Sequence, residues 1–91
     1  MAITVQVPSP LRLCCDGAAE LSLSARTVRA ALDEIERLHP SLYRSVCDET
    51  GAVRRHMNLF VNSSLLRDKT LLDTKLATGD VVTIFQAVSG G

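Results

Sequence analysis

Residues 27–40 read Thr-Val-Arg-Ala-Ala-Leu-Asp-Glu-Ile-Glu-Arg-Leu-His-Pro, and the periodicity of this stretch decides the fold. Val28, Ala31, Leu32, Ile35 and Leu38 recur at helical spacing and make one apolar stripe, with charged residues between them. Thr27 stands where an N-cap belongs, and His39-Pro40 forms a stop. The spacing therefore predicts a helix from about Thr27 to Leu38. Its stripe must be buried against another layer, so the flanking segments decide which fold class results.

On the N-terminal side, Ile3, Val5 and Val7 alternate with Thr4 and Gln6, the period-two pattern of a half-buried strand over residues 2–7, closed by Pro8 and Pro10. Asp16-Gly17 signals a turn, and Leu21 and Leu23 alternate with serines. The two runs form a hairpin with an irregular connection. On the C-terminal side, Leu42 and Val46 fit a short helical turn, and Glu49-Thr50-Gly51 a polar break. His56–Asn62 reads as a strand with Met57, Leu59 and Val61 on one face, ending in the turn-forming Asn62-Ser63-Ser64. Residues 65–78 suit a short strand and then a brief helical turn around Leu71 to Leu76. Gly79-Asp80 then turns the chain into the β-rich run Val81–Phe85. Hairpin, helix, strand, short strand and final strand, with one main helix to cover one face, describe an α+β fold with a mixed sheet: β-grasp architecture.

The 91 residues suit a single domain over 1–91, and 46% hydrophobic with 22% charged residues is ordinary globular usage. Ten basic and ten acidic side chains cancel. Without a net field, generic attraction to nucleic acid or to a membrane surface loses its main driving force, which points to protein partners. The apolar runs fall short of the ~20 residues of a membrane span, and the expectation is a cytoplasmic protein. Cys14, Cys15 and Cys47 are odd in number and lack a C-x-x-C pair, which argues against a disulfide framework and against a zinc site. No metal is expected.

The last residues are Ala87-Val88-Ser89-Gly90-Gly91. At ~7% glycine usage two closing glycines arise by chance in about 0.5% of chains. Together with Asn58-Leu59-Phe60-Val61-Asn62, Arg67, Leu72-Asp73-Thr74, Leu76, Gly79-Asp80-Val81-Val82 and Ile84, this ending resembles the ubiquitin-like sulfur-carrier family of the MoaD/ThiS type. That family includes the small subunit of molybdopterin synthase and the thiamine sulfur carrier. Val7-Pro8 with Leu11-Arg12, and Thr27-Val28 with Ala31-Leu32, are similar to the branch associated with cysteine synthesis.

The resemblance implies a carrier that is not itself an enzyme and binds no cofactor. An E1-like enzyme uses ATP to adenylate the Gly91 carboxylate. A sulfur donor, rhodanese-like, a desulfurase or sulfide, converts it to a thiocarboxylate, and an acceptor synthase receives the sulfur for cysteine, molybdopterin or thiamine biosynthesis. Adenylation supplies the leaving group that a bare carboxylate lacks. Lacking Cβ, Gly90 and Gly91 suit a narrow channel, and Ala87 and Ser89 are small. Extended, Val88 to Gly91 reach about 13 Å from the globular body. Residues 88–91 are accordingly expected to be a flexible reactive tail.

Among other candidates, Phe60 alternates away from the Met57 face, which leaves it either on the open sheet or under the long connection, and Phe85 lies near the tail. Phe60, Phe85, Arg12 and Arg67 are the candidate partner surface. The three cysteines read as small buried hydrophobes, and His39 and His56 as ends of elements, more readily than as catalytic groups. A competing function is ubiquitin-like conjugation through Gly91 to lysines of targets; a third is a plain interaction domain or toxin-system component whose diglycine is unused.

Overall fold

The pairing of the first and last strands sets the architecture. In the computed structural model, which describes residues 2–87, β1 (Ala2–Gln6) pairs antiparallel with β2 (Glu20–Ser24), placing Ile3 opposite Leu23 and Val5 opposite Leu21. The last strand, β5 (Val81–Gln86), runs parallel to β1 with Val5 beside Val82. On its other side β5 pairs antiparallel with β3 (Met57–Val61), which pairs with the two-residue β4 (Ser64–Leu65). The sheet order is β2-β1-β5-β3-β4. A parallel pair needs a crossover connection, and the crossover carries the helices.

Each strand turns its alternate apolar side chains to one face. Ile3, Val5, Leu23, Leu59, Val82 and Ile84 are buried there, in one cluster with Val28, Ala31, Leu32 and Ile35 of α1 (Val28–Leu38). The stripe read from the sequence is thus the helical half of the core. Thr27 caps α1, its Oγ1 accepting the Ala30 N–H at 3.1 Å, an arrangement worth about 1 kcal/mol.

The structure refines the sequence reading at two places and corrects it at a third. The irregular hairpin connection contains a 3-10 helix, Ser9–Cys15, that buries Cys15. Pro40 stops α1 but also opens α2 (Pro40–Val46), where its missing N–H would have had no helical partner anyway. Leu42 and Val46 bury from this helix, as their spacing requires. The helical turn expected around Leu71 to Leu76 does not form. Leu72 takes a left-handed φ of 57°. The Leu72 and Thr74 carbonyls instead accept the Arg29 and Val28 N–H groups at 2.8 and 3.0 Å. The first turn of α1 has orphan donors that the connection satisfies, and a local turn over 71–76 would have used those carbonyls itself.

Polar loops are tied by aspartates. Asp48 Oδ1 accepts from Thr50 N–H, Thr50 Oγ1 and Ala52 N–H, and Asp68 Oδ1 accepts from Thr70 N–H, Thr70 Oγ1 and Leu71 N–H. The Thr50 hydroxyl for Asp48, and the Thr70 N–H for Asp68, lead the interactions that hold each carboxyl below the usual carboxylate range. A depressed folded pKa stabilises the fold above the unfolded value, and that contribution is lost as pH falls through the folded value. Thermal melts are expected to hold level down to about pH 5 and to decline below about pH 4. The Asp48→Asn, Asp68→Asn double variant keeps both acceptors without titrating and is expected to decline less steeply. Parallel acid profiles for the two proteins would contradict this account.

Candidate functional site

With Val82 and Ile84 turned into the core, strand alternation turns Thr83 and Phe85 to the opposite face. The register sets Phe60 beside Thr83 and Asn58 beside Phe85, so the two phenylalanines are diagonal neighbours. Their rings meet edge to face, centroids 6.2 Å apart at 83°, a geometry worth about 0.5–1.5 kcal/mol beyond burial. Leu65 stands opposite Phe60 across the β3–β4 pair and is 45% exposed; Phe85 is 51% exposed. Phe60 is half-buried. The two readings of Phe60 are therefore resolved: it lies on the open face of the sheet, partly covered by Phe85.

This apolar patch spans β3, β4 and β5, and its Phe85 lies on β5, the strand that precedes the expected tail. Past Gln86, the Ala87 N–H donates to the His56 carbonyl at 2.8 Å, which fixes the direction in which the chain leaves the sheet. Ala87 is half-buried. The expected reactive tail, Val88, Ser89, Gly90 and Gly91, lies outside the described residues.

The two candidate arginines are not brought together. Arg12, on the 3-10 helix, donates from Nε to the Val7 carbonyl at 3.1 Å and lines a cavity of about 340 Å³ with Gln6, Glu20, Thr83 and Ile84. Here the Thr83 hydroxyl donates to Gln6 Oε1 at 2.9 Å. Arg12 thus borders β5 on the β1 side. Arg67 is exposed just past β4, at the other edge of the sheet. Leu65 was missed as a member of the patch because its partner becomes visible only with the β3–β4 register; the alternation of a two-residue strand carries no signal of its own.

Cys15 and Cys47 are buried, and Cys14 is half-buried with its Sγ 3.8 Å from Ser45 Oγ. Burial pushes the Cys47 thiol up to about 11 and raises that of Cys15 as well. Both therefore remain protonated near neutral pH, the unreactive form of a thiol. Among the described residues, no three His, Cys, Asp or Glu side chains gather as a metal would require, and no helix is long and apolar enough to cross a membrane.

Comparison with known proteins identifies the family of the chain. The model of the ThiS family matches residues 5–91. The sulfur carrier protein CysO of Mycobacterium tuberculosis is 33% identical over 93 aligned positions that cover both chains completely. In the crystal structure of the Amycolatopsis orientalis BexX/CysO complex, a chain 29% identical superimposes with a TM-score of 0.87, covering 99% of this chain and 100% of that one. The small archaeal modifier protein 1 of Methanosarcina acetivorans, 27% identical, superimposes with a TM-score of 0.80 over 99% of this chain and 96% of its own. The fold, the full-length similarity to a sulfur carrier protein and the family match over residues 5–91 together place the chain in the ThiS family of ubiquitin-like, β-grasp sulfur carriers.

Proposed function

We propose that this protein carries sulfur on the carboxylate of Gly91, as a thiocarboxylate made and consumed by partner enzymes. The observation that carries this reading is the family match reaching Gly91 in a chain whose relative is named a sulfur carrier. In the first step a Gly91 carboxylate oxygen attacks the α-phosphorus of ATP on an E1-like enzyme, and pyrophosphate leaves. Sulfide then attacks the acyl carbon directly and AMP leaves. Where the donor is the persulfide of a rhodanese-like protein or desulfurase, its outer sulfur attacks and AMP leaves. A thiol reductant then cleaves the resulting acyl disulfide, releasing the thiocarboxylate and forming a disulfide with the donor cysteine. The result is one C–S bond in place of one C–O bond, and a sulfur that is a competent nucleophile toward the acceptor held by a synthase. The chain contributes presentation of its terminus, and catalysis rests with its partners. Cysteine synthesis leads among the acceptor pathways because the CysO relative matches over its full length.

The patch of Phe60, Phe85 and Leu65 is the surface on which such a partner would seat itself, with Arg12 at its β1 side and Arg67 at its β4 edge. Aromatic side chains at the centre of an interface dominate binding energies. Phe85→Ala is expected to raise the KM for the carrier in activation about tenfold or more, while leaving the fold intact and lowering its stability only by about the 0.5–1.5 kcal/mol of the Phe60 contact, because Phe85 is half exposed and outside the core. Steady-state pyrophosphate release against carrier concentration checks this; an unchanged KM would remove Phe85 from the docking surface.

Similarity to a small archaeal modifier protein favours a second use of the same activated terminus, an isopeptide bond to a target lysine. Intact mass separates the two. After incubation with ATP, an activating enzyme and sulfide, carriage of sulfur predicts replacement of one oxygen by one sulfur. Conjugation predicts adducts formed with loss of water when target proteins are present. A chain unchanged in mass under both conditions, with a related carrier converted in the same mixture, would overturn the proposal.

A further inference from the structure

The two edges of the sheet differ. β4 has two residues, whereas β2 presents five, Glu20-Leu21-Ser22-Leu23-Ser24, at the opposite margin. Its hydrogen-bonding directions follow from the ladder. The Val7 N–H donates to the Ala19 carbonyl at 2.8 Å, and with the register that puts Leu21 opposite Val5 and Leu23 opposite Ile3, the bonded pairs fall at residues 19, 21 and 23. The N–H and C=O groups of Glu20, Ser22 and Ser24 therefore point away from β1. Among the described residues, no backbone hydrogen bond from outside the β1 ladder reaches residues 20–24. The side chains of Glu20, Ser22 and Ser24 are exposed.

Unpaired edges are templates for strand addition and are normally guarded by lysine, proline, a bulge or shortness. β2 has neither lysine nor proline, its one charged side chain, Glu20, stands at its end and accepts from Gln6 Nε2 at 3.4 Å, and its pairing with β1 runs in unbroken one-to-one register. We propose that this edge takes β2 of a second copy of the chain, antiparallel about a two-fold axis through Ser22. That axis sets Ser22 against Ser22 of the second copy and Glu20 against Ser24 of the second copy. All three outward-facing residues then fall in bonded pairs, two bonds to a pair and about six in all. A carboxylate meets a hydroxyl rather than another carboxylate, and a net charge of zero leaves no long-range repulsion between copies. The dyad continues the sheet edge to edge and keeps both open faces on the same side. Phe60 and Phe85 of each copy stay uncovered, since β1 lies between the shared edge and Phe85 on β5, and β1 and β5 lie between that edge and Phe60 on β3. Little apolar area is removed from water, so the pair is weak and reversible, with a Kd of about 1 mM.

Sedimentation and amide hydrogen exchange on the full chain between about 50 µM and about 2 mM test this. The apparent mass is expected to rise from the monomer toward twice that value, and the Ser22 and Ser24 amides to slow with concentration, while those of Leu21 and Leu23 are protected throughout. Ser22→Lys, which opposes like charges across the dyad, and Ser22→Pro, which removes an outward donor without touching the β1 ladder, should both hold the chain at monomer mass with an unchanged fold by circular dichroism. If Ser22→Pro misfolds, Ser22→Lys alone decides. A wild-type chain that stays monomeric across the range, concentration-dependent protection located elsewhere, or association unaffected by Ser22→Lys would overturn the proposal.

Discussion

Leu32→Asp is expected to abolish cooperative folding. Leu32 is 1% exposed and lies in the cluster where α1 meets the inward face of the sheet. Truncating such a leucine alone costs about 2–5 kcal/mol. The carboxylate adds the penalty of an unpaired charge in an apolar site, or else takes up a proton at a cost that grows with pH. Among the described residues, no polar or charged side chain is buried to pair with it. Against a total stability of about 5–15 kcal/mol for a domain of this kind, the sum is most or all of it. Urea unfolding by circular dichroism checks the result, with Leu32→Ala as the graded control that should still unfold in one transition at a lower midpoint. A Leu32→Asp midpoint equal to that of the wild type would mean that α1 does not pack as described.

What the sequence made legible was the periodicity that burial in the core enforces. The stripe Val28, Ala31, Leu32, Ile35 and the alternation of Ile3, Val5 and Val7 each face one core, and both patterns survive in the structure because burial enforces them. The segments that failed are those whose conformation is set by distant partners. Leu71 to Leu76 has the leucines of a helical turn, yet Leu72 and Thr74 serve as acceptors for the first turn of α1, some forty residues away in sequence. The 3-10 helix of Ser9–Cys15 was hidden for a similar reason: two prolines argue against a regular helix, and the short turn forms because Cys15 can be buried there. For the site, Phe60 and Phe85 were visible as aromatic residues near a tail, but their edge-to-face contact depends on the β3–β5 register, which no local pattern specifies.

Deleting Gly91 is expected to abolish ATP-dependent activation while leaving the fold intact. The deletion moves the carboxylate back by about 3.5 Å along an extended chain. A displacement of about 1 Å in reacting atoms can already cost a hundredfold in rate, so attack on the α-phosphorus of ATP should fall below detection. Gly91→Val keeps the length but adds a branched Cβ to a residue that, under the proposed function, enters a narrow partner channel, and is expected to be similarly inactive. Neither change touches the core cluster, whose members among the described residues all lie at or before Ile84, so the melting temperature is expected to match the wild type. Replacing Cys14, Cys15 and Cys47 tests the alternative that a thiol carries the acyl group. The triple variant should still be activated, since Cys15 and Cys47 are buried with raised pKa values and act as packing. If that variant is marginally stable, Cys14→Ser alone removes the most accessible thiol and serves in its place. Pyrophosphate release with the cognate activating enzyme and thermal melting of each variant are the two readouts. Full activation of the Gly91 deletion, or activation lost with the cysteines while the fold persists, would show that the reacting group is not the carboxylate of Gly91.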